Sequence, residues 1–101
     1  MKTPPNTKFT GTDNPRHLRA IQALMTRPQR REHLDMIAGC SNTPELIAEL
    51  RRRGLHVPCE RVPDIDRDGR TIKRGVYHFV ESDRRKVNAW IRQRDAARST
   101  A

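Results

Sequence analysis

Two parts of this sequence contain residue types that bind metal ions. Zinc-type ligands occur at His33, Cys40, His56, Cys59 and His78. Zinc sites bring together two closely spaced ligand pairs, and only His56 and Cys59 are spaced in that way. Residues 64–69 (DIDRDG) match the opening of a calcium loop, but the twelfth position, which needs a bidentate Glu, is Gly75. We therefore expect neither a metal ion nor a cofactor.

Motifs for catalysis are also missing from the sequence. It contains no Gly-rich phosphate loop, no nucleophile elbow and no HExxH motif. Cys59 is followed by Glu60, and no histidine is placed to activate its thiol as a nucleophile. The sequence therefore predicts a protein that is not an enzyme.

Charge is the strongest signal in the composition. Among 101 residues, 21 Lys and Arg outnumber 12 Asp and Glu, which gives a formal net charge of +9 at pH 7. Such a surface repels itself unless a polyanion shares it, so nucleic acid is the first partner to expect. Because 34% of the residues are hydrophobic and 33% are charged, we predict one domain with a small core.

Hydropathy and targeting signals favour an aqueous compartment. No apolar run approaches the roughly 18 residues that span a bilayer. Residues 1–14 lack the apolar stretch of a signal peptide. We expect a cytoplasmic protein that does not contact a membrane.

Helix signals begin after a flexible N-terminal arm at residues 1–12. Asp13 or Asn14 can cap a first helix. This helix should end before Pro28, because a residue that precedes proline avoids the helical conformation. A second helix is predicted at about residues 30–38, although no residue there can serve as a good N-cap.

A tight turn at residues 38–41 leads into a third helix. Asn42 or Thr43 can cap it, and Gly54 ends it by adopting the left-handed conformation. If Asn42 is the cap, Glu45 completes a capping box. Two helices joined by a glycine-containing turn are typical of a helix-turn-helix, whose second helix enters the DNA major groove.

The third helix has an apolar face and a polar face at helical spacing. The side chains predicted to face base edges are Asn42, Thr43, Glu45, Ala48 and Arg52. Arg52 can donate two hydrogen bonds to guanine, and Glu45 can accept one from cytosine N4. The simpler interpretation is a solvated face on which Glu49 and Arg53 form an i,i+4 ion pair.

After the third helix the pattern changes to one that predicts strands. Residues 55–62 and 71–80 are rich in β-branched and aromatic residues, and Asp68-Gly69 between them predicts a two-residue hairpin turn. Tyr77 and Phe79 alternate and should share the core face. The basic residues expected to contact phosphates are Arg51, Arg61, Arg67, Arg70, Lys73 and Arg74.

A last helix follows the hairpin. Ser82 is predicted as its N-cap, and residues 96–101 are predicted as a disordered tail. Val87, Trp90 and Ile91 form its apolar stripe, which leaves open a homodimer through this helix.

The order of these elements resembles a winged helix-turn-helix: an α+β domain, here residues 13–95, with a three-helix core, a two-stranded β-hairpin wing and a C-terminal helix. Residues 34–62 (LDMIAGCSNTPELIAELRRRGLHVPCERV) and 68–79 (DGRTIKRGVYHF) resemble a family of small helix-turn-helix proteins from bacteriophages and prophages. The resemblance implies binding to double-stranded DNA, with the recognition helix (42–53) in the major groove and the wing (64–74) on the backbone.

Two functions remain open from the sequence. The first is a phage-related transcriptional regulator that binds duplex DNA through the third helix and the wing. The second is a winged-helix protein-interaction module that docks on a host or phage protein. Glu45 and Glu49 favour the second function, since carboxylates repel phosphates, whereas the basic hairpin favours the first.

Overall fold

A computed structural model describes residues 8–39 and 42–100, with side chains to residue 97. Within these ranges the chain is an α+β domain of four helices and a three-stranded antiparallel sheet. The helices are α1 (Pro15–Thr26), α2 (Arg31–Ala38), α3 (Thr43–Arg52) and α4 (Glu81–Thr100). The strands are β1 (Gln29–Arg30), β2 (Cys59–Ile65) and β3 (Thr71–Tyr77).

Local signals set the ends of the first three helices. Asn14 caps α1 by accepting a 2.9 Å hydrogen bond from a first-turn N–H. Asn42 caps α3 in the same way, at 3.3 Å. α2 ends at Gly39, whose φ of 73° is the left-handed conformation that glycine tolerates. The remainder of the predicted turn, residues 40 and 41, lies outside the described residues.

The sheet contains a strand that the sequence did not predict. Gln29 and Arg30 pair with Tyr77 and Val76, so β3 is the central strand and the order is β1-β3-β2. The buried side chain of Gln29 donates a 2.9 Å hydrogen bond to the carbonyl oxygen of Ala23. A strand of two residues has no periodic pattern in the sequence, and its pairing partners lie far along the chain. The predicted sheet, a two-stranded hairpin, therefore lacked β1.

The hairpin closes differently from the two-residue turn predicted at Asp68-Gly69. Its loop has the pattern of a type I turn followed by Gly69 at a φ of 80°. The Asp66 carboxylate accepts hydrogen bonds from the backbone N–H groups of Asp68 and Arg70, both at 2.9 Å. This side-chain closure stabilises the longer loop, and the two-residue prediction was wrong.

The loop between α3 and β2, part of which was predicted as strand, is fixed by two charged side chains. The buried carboxylate of Asp83 accepts from the N–H groups of His56 (2.7 Å), Val57 (2.9 Å) and Val80 (3.3 Å). Arg51 donates to the carbonyl oxygens of His56 (3.1 Å) and Val57 (2.7 Å). These bonds hold Val57 at a φ of 42°, which costs a β-branched residue about 1–3 kcal/mol.

The start and end of α4 also differ from the prediction. The helix begins at Glu81, so Ser82 is not its N-cap. Asp83 is the third helical residue, and its bond to the Val80 N–H is the reciprocal half of a capping box. Residues 96–100 are helical rather than a disordered tail, and alanines at 96 and 97 favour that conformation.

Part of the predicted N-terminal arm packs against the domain. Phe9 is buried and meets the Trp90 ring edge-on, with ring centroids 5.1 Å apart. The Thr10 N–H donates to the Arg53 carbonyl oxygen at 2.9 Å. A Cβ atom at Gly11 would lie 2.1 Å from Trp90 Nε1, so only glycine fits there. Residues 8–12 are therefore part of the fold, and residues 1–7 lie outside the described chain.

The apolar stripe of α4 is used within the chain. Val87 is fully buried in the core, and Trp90 and Ile91 are half-buried against it. The rest of the core comes mainly from α1, α2, α3, the loop between α3 and β2, and the end of β3. The stripe thus packs in part within the chain, and the homodimer considered from the sequence stays a prediction.

We expect Asp83→Ala to lower the free energy of unfolding by about 3 kcal/mol, because it leaves buried N–H groups without an acceptor. Ser82→Ala is the matched control at the predicted cap and should change it by less than about 0.5 kcal/mol. Urea unfolding followed by circular dichroism measures both. Equal effects would contradict the assignment of the cap to Asp83.

Candidate nucleic-acid interface

Thr43 does not take part in the outer face of α3. Its side chain is 1% exposed, and its hydroxyl donates to the Asp35 carboxylate. The Thr43 N–H donates to the same carboxylate at 3.1 Å. Since this contact joins the start of α3 to the middle of α2, Thr43 fixes the geometry of the two helices. The prediction that it faces base edges was wrong.

The other predicted base-contacting residues remain on the surface of α3. Asn42, Glu45 and Arg52 are exposed, and Ala48 is half-buried. The Arg52 guanidinium is bonded to carboxylates of its own helix, however. Its Nη2 atom lies 2.6 Å from Glu49 and 3.2 Å from Glu45, and its Nε atom lies 3.0 Å from Glu49. Arg52 therefore cannot fork onto guanine while these bonds persist.

Glu49 connects two arginines. One oxygen accepts from Arg52, and the other accepts from Arg53 Nε at 3.1 Å, which confirms the predicted i,i+4 pair. The hydrogen bond from Arg52 lowers the pKa of Glu49 below its ordinary value, with further lowering from Arg53. Glu49 is therefore ionised at neutral pH, and it offsets part of the positive charge of these two arginines.

The hairpin of β2, β3 and their loop, which contains the predicted wing at 64–74 and is termed the wing as a whole, has two different faces. Residues that oppose each other across the strands share a face, and faces alternate along each strand. One face carries Asp64 and Arg74, which form a 2.6 Å ion pair. The backbone N–H of Ile65 and then Arg74 lower the pKa of Asp64. This face is therefore largely neutralised.

The opposite face of the wing carries basic residues. Arg61 and Lys73 lie on it, on the same side of the sheet as Tyr77. Burial raises the pKa of Tyr77, with a contribution from Cys59, whereas the nearby charges of Arg51 and Arg31 lower it. The Tyr77 side chain therefore lies within the electrostatic reach of Arg31 and Arg51.

Four wing cations have no ionic partner within the described chain. They are Arg61, Arg67, Arg70 and Lys73, and all four are exposed. Arg74 and Arg51, also predicted as phosphate contacts, are used otherwise. Arg74 pairs with Asp64 and lies 3.5 Å from Glu32, and Arg51 bonds to loop carbonyls. These two predictions are corrected accordingly.

The basic surface also includes a residue that the sequence did not single out. Arg31 is exposed at the first position of α2, and Arg30 before it lies 3.8 Å from Asp64. Arg30 was assigned to the start of the second helix because β1 was not recognised, whereas Arg31 is the first residue of that helix. The extended conformation that Pro28 imposes on Arg27 and the lack of an N-cap residue are the local signals that the helix does not begin directly at this point.

The described residues contain neither a metal-binding cluster nor a membrane-spanning helix. No three His, Cys, Asp or Glu side chains there are close enough to hold a metal ion together. No described helix combines the length and apolar character needed to cross a bilayer. The thiol of Cys59 is exposed rather than packed in the core.

The domain defined by this fold and surface is a small α+β domain with a projecting basic hairpin. No protein-family model, no curated protein and no solved structure matches the chain significantly. The function must therefore be inferred from the geometry and charge of the chain itself.

The free energy of unfolding should fall as the pH drops below about 6.5, the ordinary pKa of histidine. Burial lowers the pKa of His17, Arg53 adds to this, and Glu49 opposes it. Between the ordinary and the lowered pKa the unfolded chain binds the proton and the folded chain does not. Glu49 and Asp64, whose pKa values are lowered, lose their contributions only below about pH 4.5.

His17→Gln should remove the pH dependence between about pH 7 and pH 5, as measured by urea unfolding at a series of pH values. His17 Nδ1 lies 2.9 Å from the Thr12 hydroxyl, and glutamine retains a polar side chain there. His56→Gln is the control, since this side chain is exposed. An unchanged slope in His17→Gln would assign the dependence to another group.

Proposed function

We propose that this protein is a non-enzymatic duplex-DNA-binding protein of the winged helix-turn-helix class. In this proposal it acts as a phage-related transcriptional regulator. α3 enters the major groove, and the wing contacts the phosphate backbone. Support for the architecture comes from the order of elements, since two strands and a basic loop directly follow α3 and a further helix follows the strands.

The observation that carries this proposal is the distribution of unpaired charge. The two wing faces differ, because Asp64 neutralises Arg74 on one face whereas Arg61 and Lys73 remain unpaired on the other. Arg67 and Arg70 are further unpaired cations in the hairpin loop, where they alternate with Asp66 and Asp68. A projecting hairpin with exposed cations on one side fits a phosphate backbone, because its charges need no rearrangement to bind.

A second function has support from other features of the surface. Met36 is 80% exposed on α2 and borders a cleft of about 490 Å³ that also contains Pro28 and Arg27. Glu45 and Glu49 on α3 disfavour phosphates. A winged-helix module that docks on another protein would use such surfaces. Tight binding to a host or phage protein, together with no retention of duplex DNA at moderate salt, would favour this second function.

Binding to a random-sequence duplex should weaken as salt increases, with a log–log slope of about −3.6 if all four unpaired wing cations contact phosphates, at about −0.9 for each. Arg70→Ala should weaken binding to every duplex alike and reduce the slope to about −2.7. Fluorescence anisotropy across a salt series measures both values. A slope near zero for the unmodified protein would refute DNA binding.

Arg92→Ala is the matched control for this experiment. It removes one exposed arginine from α4. Arg92 has no ionic partner among the described residues and lies outside the proposed interface. Its slope should remain close to that of the unmodified protein. An equal effect of Arg92→Ala and Arg70→Ala would show that net charge, rather than the wing, determines binding.

A further inference from the structure

The outer face of α3 contains an acidic and basic cluster that a simple phosphate-binding helix would not need. Glu45, Glu49 and Arg52 are spaced at i, i+4 and i+7, so all three project from one side of the helix. Two carboxylates and one guanidinium give this cluster a formal charge of −1. It occupies the face that the proposed function directs toward DNA.

Arg53 fixes the position of this cluster through its bond to Glu49. The second oxygen of Glu49 accepts from Arg53, and Arg53 Nη1 donates to the Gly11 carbonyl oxygen at 2.8 Å. The Arg53 backbone carbonyl is itself bonded to the Thr10 N–H. The bond to Arg53 therefore holds Glu49 on the helix when Arg52 moves away from it. An Arg52 side chain that moves to a phosphate must give up its bonds to Glu49.

A phosphate that approaches Arg52 also meets the carboxylate of Glu45. The Glu45 side chain is 68% exposed, and its oxygen lies 3.2 Å from Arg52 Nη2. Repulsion between like charges therefore opposes the attraction that Arg52 alone would provide. Only a ligand that offers hydrogen-bond donors to the carboxylates and acceptors to Arg52 replaces the bonds that both groups lose. Base edges in the major groove present both, whereas phosphates present acceptors alone.

We propose that Glu45 and Glu49 are specificity-determining residues, which suppress sequence-independent binding at α3 by retaining Arg52 on the helix. This inference rests on the proposed DNA binding. The wing supplies affinity for any duplex, and the cluster restricts contact at α3 to sequences whose base edges satisfy its donors and acceptors.

The test compares binding of a random-sequence duplex across a salt series. In the double variant Glu45→Gln and Glu49→Gln, Arg52 is free to contact a phosphate. One extra contact should steepen the log–log slope by about 0.9 and raise affinity about eightfold at 0.1 M salt. Adding Arg52→Ala to this double variant should return the slope to that of the unmodified protein.

Two controls keep this result interpretable. Glu81→Gln removes one exposed carboxylate from the start of α4 and should leave the slope unchanged. Glu45→Gln alone retains the Glu49 bonds to Arg53, so it tests the cluster even if the double variant unfolds. It should raise affinity for the random duplex by a smaller factor.

The outcomes separate the two proposals. A steep slope for the unmodified protein with no change in the double variant overturns the specificity role and leaves DNA binding intact. An increase that persists after Arg52→Ala also overturns it, because the effect is then one of net charge. A flat slope for the unmodified protein overturns both.

Discussion

The buried carboxylate of Asp83 is the contact on which the arrangement of this domain most depends. It accepts from N–H groups in the loop after α3 and from the residue that precedes α4. Arg51 donates hydrogen bonds to the carbonyl oxygens of the same loop. A loop that enters the interior must satisfy its polar backbone groups, and these two side chains do so. The direction in which β2 leaves α3 follows from these bonds.

Many of the positive charges stabilise the fold rather than a ligand. Arg19 donates to the carbonyl groups of Ile37 and Ala38 at the end of α2, and Arg84 donates to Met25 near the end of α1. Cations there pair with free carbonyls and with the negative end of the helix dipole. The net charge of +9 therefore overstates the charge available to a polyanion. The unpaired cations of the wing are a smaller and more informative set.

The N-terminal segment links the core to the candidate interface. Gly54 lies so close to this segment that an added Cβ would be 2.3 Å from the Lys8 carbonyl oxygen. Arg53 beside it bonds both to Gly11 and to Glu49. Positions with no apparent chemistry thus orient a carboxylate on the outer face of α3. The orientation of the Glu49 carboxylate on that face therefore depends on contacts with the N-terminal segment as well as on the residues of α3.

The starts of α1 and α3 and the end of α2 were determined by the sequence because each depends on neighbouring residues. Asn14, Asn42 and Gly39 act within one helical turn, so their types alone predict these three helix termini. The hairpin and the burial of Tyr77 and Phe79 also followed from local alternation. These features supplied the order of elements on which the winged-helix proposal depends.

Contacts between distant residues were decided only by the tertiary structure. β1 depends on pairing with β3. Asp83 accepts hydrogen bonds from a loop more than 20 residues away. Thr43 is turned inward by its hydrogen bond to Asp35. No local pattern distinguishes an arginine that binds a carbonyl from one that remains unpaired. Which charges are available to a partner is therefore a property of the folded chain, because it depends on where oppositely charged and polar groups come together.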